Sequence, residues 1–156
     1  MLRIQLDDRA VFLERWQALL VGLLDRASVA QHPARAAMLE QVVRWEARAS
    51  ETSVGYRLVR VFHKTLERRV FEALTLPVRA AHPNLQLQVP SQLEEAVWQL
   101  ANARPAHLLD PRFVDWREFL LDVLDESLRT VASECSDPTL ASCTWGARTP
   151  PVSNIR

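Results

Sequence analysis

Apolar residues recur at steps of three and four along most of this chain, which is the pattern of amphipathic α-helices. One stripe of this kind predicts a long helix over residues 8–26. A second stripe predicts a helix from His32-Pro33, where proline suits the first helical position, to Trp45. The side chains expected on the buried faces of these two helices are Phe12, Trp16, Leu19, Leu20, Leu23, Leu24, Met38, Val42 and Val43.

A third stripe follows Ser50, a residue type favoured at helix N-caps, and continues over more than four turns to Leu74. Pro77 is expected to end this helix. Residues 82–90 contain proline and turn-forming residues, and they predict a turn followed by a short extended segment. The expected buried face of the third helix consists of Val54, Leu58, Val61, Phe62, Leu66, Val70 and Phe71.

Two more helices are predicted in the second half of the chain. Ser91-Gln92-Leu93-Glu94 has the pattern of a capping box and opens a helix to Ala103, and Asp110-Pro111 is the start signal of the last helix. From residue 136 onward the periodicity is lost. We therefore predict a mainly α fold in one segment, with five or six amphipathic helices over residues 1–135 and an irregular, extended tail over residues 136–156. The inward positions of these two helices are Leu93, Val97, Leu100, Trp116, Phe119, Leu120, Val123, Leu124, Leu128 and Val131.

Charge and composition exclude several classes of protein. Nineteen basic residues balance nineteen acidic ones, so no basic excess is available to bind the phosphate backbone of a nucleic acid. No apolar run is long enough to span a bilayer, and residues 1–30 lack the features of a signal peptide. A length of 156 residues with 48% apolar residues fits one folded domain rather than a disordered chain. Composition names no activity.

The four histidines do not predict a metal site. His32 and His82 adjoin prolines, which indicates capping or turn roles, and His63 is expected to be partly exposed beside the third apolar stripe. No histidine, including His107, pairs with a second histidine or a carboxylate in a metal-binding pattern such as His-Glu-x-x-His. We therefore expect no metal and no cofactor.

Nucleophile motifs are missing as well. The chain has no Gly-x-Ser-x-Gly elbow, and its three glycines cannot form a Gly-rich phosphate loop. Cys135 and Cys143, separated by seven residues, lie next to no histidine and make only a weak zinc signal. A local disulfide is plausible in an oxidising compartment, and two free thiols are equally plausible elsewhere. No catalytic, cofactor-binding or metal-binding residue is predicted.

The five tryptophans divide into two groups. Trp16, Trp98 and Trp116 stand at helical spacing and are expected to be core or inter-helix anchors. Trp45 ends a predicted helix and Trp145 lies in the tail, so these two are candidates for a boundary with further protein. No alternation of basic and aromatic residues indicates binding to single-stranded nucleic acid.

Three strings resemble the penicillin amidase (penicillin acylase) family of N-terminal-nucleophile hydrolases. The first is Leu2-Arg3-Ile4-Gln5-Leu6-Asp7-Asp8-Arg9-Ala10, with Phe12-Leu13 and Trp16 after it. The second is Trp45-Glu46-Ala47-Arg48-Ala49-Ser50 with Ser53-Val54-Gly55-Tyr56-Arg57-Leu58-Val59-Arg60, which is similar to the family pattern Trp-x-Gly-x-Ala-x-x-x-Ser-x-x-Tyr-x-Leu. The third is Thr144-Trp145-Gly146. The similarity covers most of the chain and is least diagnostic over residues 74–105.

The resemblance implies an amide hydrolase that acts on acylated amines such as β-lactams or acyl-homoserine lactones. In this family a Ser at the start of the large chain attacks the amide carbonyl, with its own α-amine as the general base. The family's secreted or periplasmic habit also favours a disulfide between Cys135 and Cys143, and it implies the same localisation for this protein. The partners implied are the remaining chains of a parent acylase.

The chain departs from the family where the chemistry would be. Its only Ser-Asn, Ser153-Asn154, stands three residues from the end, and the family's glycine is replaced by alanine in Glu46-Ala47-Arg48. We therefore expect a helical fragment of the large chain that is inactive by itself, and the tail ending in Asn154-Ile155-Arg156 looks cut. The alternative is a free-standing helical interaction module without catalysis.

Overall fold

The computed structural model describes residues 8–30, 32–135 and 139–147. Within these ranges the fold is mainly α, as predicted, with seven α-helices and no strand. The helices are α1 (Glu14–Leu23), α2 (Arg26–Val29), α3 (Pro33–Val43), α4 (Val54–Leu74), α5 (Leu76–Ala81), α6 (Glu94–Ala103) and α7 (Trp116–Ser133). Short 3-10 turns form at Val11–Leu13, Ala106–Leu108, Leu140–Ser142 and Trp145–Ala147. Of the predicted irregular tail, residues 136–138 and 148–156 lie outside the described residues.

The single helix predicted over residues 8–26 is wrong in its bounds. A 3-10 turn at Val11–Leu13 precedes α1, and α1 ends at Leu23. Asp25 then caps α2, because its Oδ1 accepts a hydrogen bond from the backbone N–H of Ser28 at 2.8 Å. Phe12, placed in the core by the sequence, is exposed because it precedes the α-helix and does not follow its 3.6-residue repeat. Val43 is exposed too, since it lies about 100° around α3 from the buried Val42.

The third predicted helix is confirmed as α4, but its cap is different. Ser53 supplies the cap, with its Oγ accepting from the N–H of Tyr56 at 3.0 Å. Ser50 lies one turn earlier and accepts from Thr52 instead. Pro77 does not end α4; it occupies the first turn of α5, where its missing N–H costs nothing.

The last two helices were predicted correctly, with different start signals. Leu93 holds the N-cap position of α6 without a side-chain cap hydrogen bond, so the expected capping box at Ser91 does not form at that position. A similar pair of cap hydrogen bonds forms on α7: Asp115 Oδ1 accepts from the N–H of Glu118 at 2.8 Å, and the Glu118 carboxylate accepts from the N–H of Val114, the residue before the cap, at 2.8 Å. Asp110 belongs to the turn before it.

The chain divides into two compact units, residues 1–61 with 127–156, and residues 62–126. In the first unit α3 packs on α1, and Gln17 of α1 donates to the carbonyls of Val42 (2.7 Å) and Trp45 (3.0 Å) at the end of α3. Such bonds satisfy carbonyls that a helix end leaves without intrahelical partners. Its core includes Leu13, Trp16, Leu20, Leu23, Met38, Val42, Leu58, Leu128 and Val131.

The second unit has its own apolar core, drawn from α4, α6 and α7. Trp116 anchors it as predicted, with its indole N–H donating to the carbonyl of Pro105 at 2.9 Å. Trp98 is only partly buried. The buried side chains of this unit are Phe62, Leu66, Val70, Val97, Ala101, Trp116, Phe119, Leu120, Val123 and Leu124.

Candidate functional site

The strings that carry the family resemblance come together in the first unit. The described end of the first string, Asp8 to Ala10, pairs with the second string as an isolated antiparallel bridge. Ala10 N–H donates to the carbonyl of Ala47, and Ala49 N–H donates to the carbonyl of Asp8, both at 2.7 Å. An ion pair of 2.6 Å between Arg48 and Asp8 lies beside them. Residues 2–7 of the first string lie outside the described residues.

The alanine that departs from the family pattern adopts a backbone conformation that suits glycine. Ala47 has φ 55°, in the left-handed region that a Cβ atom makes unfavourable. This geometry lets the chain turn after α3, so that Trp45 donates from its indole N–H to the carbonyl of Arg48 at 2.7 Å. Ala47 therefore stands at a position where the backbone conformation favours glycine, the residue of the family pattern.

Gly55 allows the start of α4 to approach the end of α3 closely. A Cβ atom built on it would lie 2.6 Å from the carbonyl oxygen of Gln41 and 2.6 Å from Cβ of Trp45. Real Cβ contacts are not that short, so only glycine fits. Gly55 in the second string is therefore explained by the close packing of α4 against the end of α3.

The two tryptophans predicted as candidate boundary residues both contact Tyr56 in this unit. Trp45 is buried, and the ring of Tyr56 lies between it and Trp145, with centroid separations of 6.1 and 5.3 Å. The guanidinium of Arg60 lies 5.2 Å from the Trp145 centroid and 6.0 Å from that of Tyr56. Side-chain spacing along the sequence did not reveal this cluster, because its members come from three separate segments.

Arg57 is fully buried and ties α4 to the C-terminal segment. Its Nη2 lies 2.9 Å from the carboxylate of Glu134, and its Nη1 donates to the carbonyl of Thr144 at 3.0 Å. A disulfide joins Cys135 to Cys143 beside this contact, which agrees with the pairing that the resemblance implied. A hydrogen bond of 2.7 Å from Gly146 N–H to the carbonyl of Glu51 holds the next turn. We call the set from Trp45 to Arg60 together with Cys135, Cys143, Thr144, Trp145 and Gly146 the motif cluster.

Several polar side chains of the motif cluster have structural partners, although Nε of the buried Arg57 donates no hydrogen bond within the described residues. Ser53 caps α4, Arg57 is ion-paired and bound to a carbonyl, and the cysteines are joined. Ser153-Asn154 lies outside the described residues. Across the described ranges no group of three or more His, Cys, Asp or Glu side chains is placed to hold a metal ion.

His63 differs from the prediction. It is 2% exposed rather than partly exposed, and its Nε2 lies 3.3 Å from Oε1 of Glu67, one turn later on α4. The i, i+4 spacing of this pair is visible in the sequence, although none of the four histidines was predicted to pair with a carboxylate in a metal-binding pattern. Two such side chains are fewer than a metal site needs.

An ion-pair network occupies the second unit. The guanidinium of Arg69 lies 5.7 Å from the ring centroid of Phe113 and 5.6 Å from that of Phe119, and it pairs with Asp122 (2.8 Å) and Glu126 (2.6 Å). Burial lowers the pKa of the Arg69 guanidinium, but its hydrogen bonds to Glu126 and Asp122 outweigh this effect and hold the pKa above its usual value. The arrangement keeps the charge of Arg69 fixed in a buried setting.

Asp110 is buried next to this network and accepts a bidentate ion pair from Arg112, with the shortest contact at 2.6 Å. This hydrogen bonding lowers the pKa of the Asp110 carboxyl, although burial opposes the shift. The same contact raises the pKa of Arg112. Because Asp110 also accepts from the N–H of Arg112 at 3.0 Å, we assign it a turn-forming role.

A cavity of about 300 Å³ in the first unit borders the motif cluster at Cys143. It lies between α3, α7 and the turn Leu140–Ser142, with Arg129 as its one charged lining residue. A volume this small is at the lower limit for ligand pockets. Its lining contains neither a nucleophile with a base nor an oxyanion-binding pair, so it supplies no catalytic centre.

The family model described as penicillin amidase matches residues 1–150. No curated protein and no solved structure matches the chain significantly. The match spans all three strings and nearly the whole sequence, including the motif cluster. The chain therefore belongs to the penicillin amidase family.

Proposed function

We propose that this chain forms a helical part of a penicillin-amidase-type amide hydrolase and that the catalytic nucleophile comes from protein outside this sequence. The family match over residues 1–150 is the observation that carries the proposal. The structural engagement of Ser53, Arg57 and the two cysteines supports the second half of it, because these groups serve packing rather than chemistry.

The reaction proposed for the parent enzyme is hydrolysis of the amide bond of an acylated amine, such as a β-lactam or an acyl-homoserine lactone. A Ser hydroxyl attacks the carbonyl carbon while its α-amine takes the proton, which gives a tetrahedral intermediate. The C–N bond of this intermediate breaks as the α-ammonium returns the proton to the leaving amine, and water then hydrolyses the acyl-enzyme. The residues of this chain contribute to that reaction by holding the parent's helical layer in shape. The partners are the remaining acylase chains.

A periplasmic or secreted location is proposed with this function. The disulfide between Cys135 and Cys143 supports it, because structural disulfides persist in oxidising compartments. None of the helices in the described ranges is long and apolar enough to cross a membrane.

The test is hydrolysis of chromogenic acyl anilides by the purified 156-residue chain, beside an active penicillin acylase as the positive control. We expect release of the chromophore at the rate of buffer alone, because neither a nucleophile nor its base is supplied by the chain. Turnover that rises with the concentration of the chain, and that persists through further purification, would overturn the proposal.

The alternative is a free-standing helical interaction module with no catalysis. Large apolar side chains that remain exposed in the second unit favour it, among them Leu76, Val78, Leu85 and Val89. The two proposals differ in the size of the native polypeptide, since a module is complete at 17.8 kDa whereas a part of an acylase belongs to a larger protein.

A further inference from the structure

The two halves of the disulfide between Cys135 and Cys143 lie in different surroundings. Cys143 is 1% exposed, and its Sγ lies 3.6 Å from the carbonyl oxygen of Thr139. Cys135 follows the end of α7 and is partly exposed. Reactive cysteines are partly exposed and lie near positive charge, whereas buried cysteines are inert. Cys135 is therefore the half of the pair that a reductant reaches more easily.

A buried cation faces the sulfur of Cys135. Nη1 of Arg57 lies 3.5 Å from Sγ of Cys135, and the Arg57 side chain is fully buried. While the sulfur belongs to a neutral disulfide, this contact contributes little. After reduction, a positive charge so close to the sulfur favours the thiolate over the thiol, because the interior screens the attraction less than water does. Arg57 therefore stabilises the reduced pair more than it stabilises the disulfide.

Two neighbours oppose this effect of Arg57. Glu134 accepts an ion pair from Nη2 of Arg57 at 2.9 Å, and the carbonyl oxygen of Val131 lies 2.9 Å from Sγ of Cys135, where it can accept a hydrogen bond from a thiol. Glu134 is 36% exposed, so water screens its charge, and it leaves Nη1 facing the sulfur. A thiol bonded to a carbonyl is a neutral pair, and charge-assisted hydrogen bonds are roughly twice as strong. The balance therefore favours the thiolate.

The same arginine links the disulfide to the segment 139–147. Besides Glu134 and Cys135, Arg57 binds the carbonyl of Thr144 at 3.0 Å, so each of these contacts is to a cysteine of the pair or to its neighbour in sequence. When the disulfide opens, this segment loses its covalent link to the end of α7. A Cys135 thiolate would also compete with the Thr144 carbonyl for Nη1 of Arg57. Reduction is therefore expected to loosen residues 139–147 from α4.

We infer that Cys135 and Cys143 form a redox-responsive pair, in which Arg57 stabilises the Cys135 thiolate of the reduced form and reduction loosens residues 139–147 from α4. The reductant is a low-molecular-weight thiol such as glutathione. The inference goes beyond the proposed hydrolase function and does not depend on it. It assigns Arg57 a role in the equilibrium between disulfide and thiols, in addition to its packing role.

The reduction is an ordinary thiol–disulfide exchange in two steps. A thiolate of the reductant attacks Sγ of Cys135, the S–S bond breaks, and Cys143 leaves as a thiolate that takes up a proton. A second thiolate then attacks the reductant's sulfur in the mixed disulfide and releases Cys135 as a thiolate beside Arg57. Two reductant thiols become one disulfide, two electrons pass to the protein, and the second proton goes to solvent.

The experiment equilibrates the purified 156-residue chain with buffers of reduced and oxidised glutathione. The samples are quenched with acid, and the alkylated thiols are counted by mass spectrometry, which gives the equilibrium constant for reduction. Arg57→Met removes the cation, Glu134→Gln removes the competing carboxylate, and Arg44→Met removes an exposed arginine that pairs with Glu40 as the control. Circular dichroism checks that each variant is folded.

We expect glutathione buffers to reduce the wild-type pair, whereas structural disulfides resist the glutathione pool. Arg57→Met should make reduction about tenfold harder, a decrease of about 30 mV in reduction potential. Glu134→Gln should make reduction easier, and Arg44→Met should leave it unchanged. If Arg57 served packing alone, its loss would make reduction easier, because a looser fold gives up less packing when the link opens.

A wild-type disulfide that stays closed in all glutathione buffers overturns the inference. So does an Arg57→Met pair that is reduced as easily as the wild type or more easily. Should Arg57→Met fail to fold, Glu134→Gln decides alone, and an equilibrium constant no higher than that of the wild type rejects the role of Arg57. Hydrogen exchange tests the loosening: the Gly146 amide, bonded to the Glu51 carbonyl at 2.7 Å, should exchange faster after reduction. An unchanged rate refutes the link to residues 139–147.

Discussion

Gly55 offers the sharpest test of how the motif cluster is packed. In Gly55→Ala the new methyl group would start 2.6 Å from the Gln41 carbonyl oxygen and 2.6 Å from Cβ of Trp45, where ordinary van der Waals contact begins at 3.4 Å. Both neighbours are close to the backbone, so neither can rotate away. The start of α4 or the end of α3 must therefore move by roughly 1 Å, a strain of the kind that overpacked cores show.

The size of the effect follows from two opposing contributions. Overpacking of this kind costs about 1–3 kcal/mol, and the better helix propensity of alanine returns up to about 1 kcal/mol. The net loss of unfolding free energy is about 1–2 kcal/mol, which lowers Tm by about 2–8 °C in a domain of this size. The Trp45–Tyr56 contact at 6.1 Å should be disturbed at the same time.

Gly22→Ala is the matched control. Gly22 also lies in a helix, but no atom lies within 4 Å of a Cβ built on it. That variant should gain about 0.5–1 kcal/mol from helix propensity alone. The assay is urea unfolding followed by far-UV circular dichroism, with near-UV circular dichroism to report on Trp45. If Gly55→Ala is as stable as the wild type, or if both variants shift in the same direction, the close packing of α3 and α4 is wrong.

Three further predictions concern single side chains. Ala47→Gly should raise the unfolding free energy by about 0.5–1 kcal/mol, because it removes the Cβ from a left-handed residue; equal or lower stability in a thermal melt would contradict this. Glu134→Ala should lower the unfolding free energy by about 2 kcal/mol, because it removes the carboxylate that pairs with the buried Arg57 cation. Arg57→Met should lower it by less, since the Glu134 carboxylate left behind is partly exposed to water. If urea unfolding gives the reverse order of stabilities, this reasoning is refuted. Asp110→Asn should destabilise the chain above pH 4 and progressively less as the pH falls, because the lowered pKa of Asp110 contributes stability that is lost on protonation; a pH-independent difference would exclude the ion pair with Arg112.

The α-helical class could be predicted from the sequence because the long apolar stripes repeat with a helical period, and the two helices that carry the longest stripes, α4 and α7, are also the longest helices described. The boundaries were harder to predict, because Ser50 and Ser53 are the same residue type one turn apart. In the structure it is Ser53 that accepts the cap hydrogen bond from the N–H of Tyr56. Likewise, a capping box was predicted at residues 91–94, but the cap hydrogen bonds of this kind are made by Asp115 and Glu118 at the start of α7.

The motif cluster could be predicted only in part. Its residues carry the family resemblance, so they were identified as strings, but their contacts join segments far apart in the sequence, as between Arg57 and Thr144, which are 87 positions apart. Periodicity within one helix says nothing about such contacts. The burial of His63 was missed for a related reason, since a polar residue inside an apolar stripe is acceptable in the core only when a partner such as Glu67 lies one turn away.

The central claim, that this chain is part of a larger amide hydrolase, is tested most directly by the size of the native polypeptide. An antibody raised against the 156-residue chain would be used to blot extracts of the source cells, and the band would be identified by mass spectrometry of its peptides. The account predicts a band several times larger than 17.8 kDa, and mass spectrometry should find that the N-terminal peptide of this polypeptide begins with Ser. A single band at 17.8 kDa would contradict it and would favour the interaction module instead.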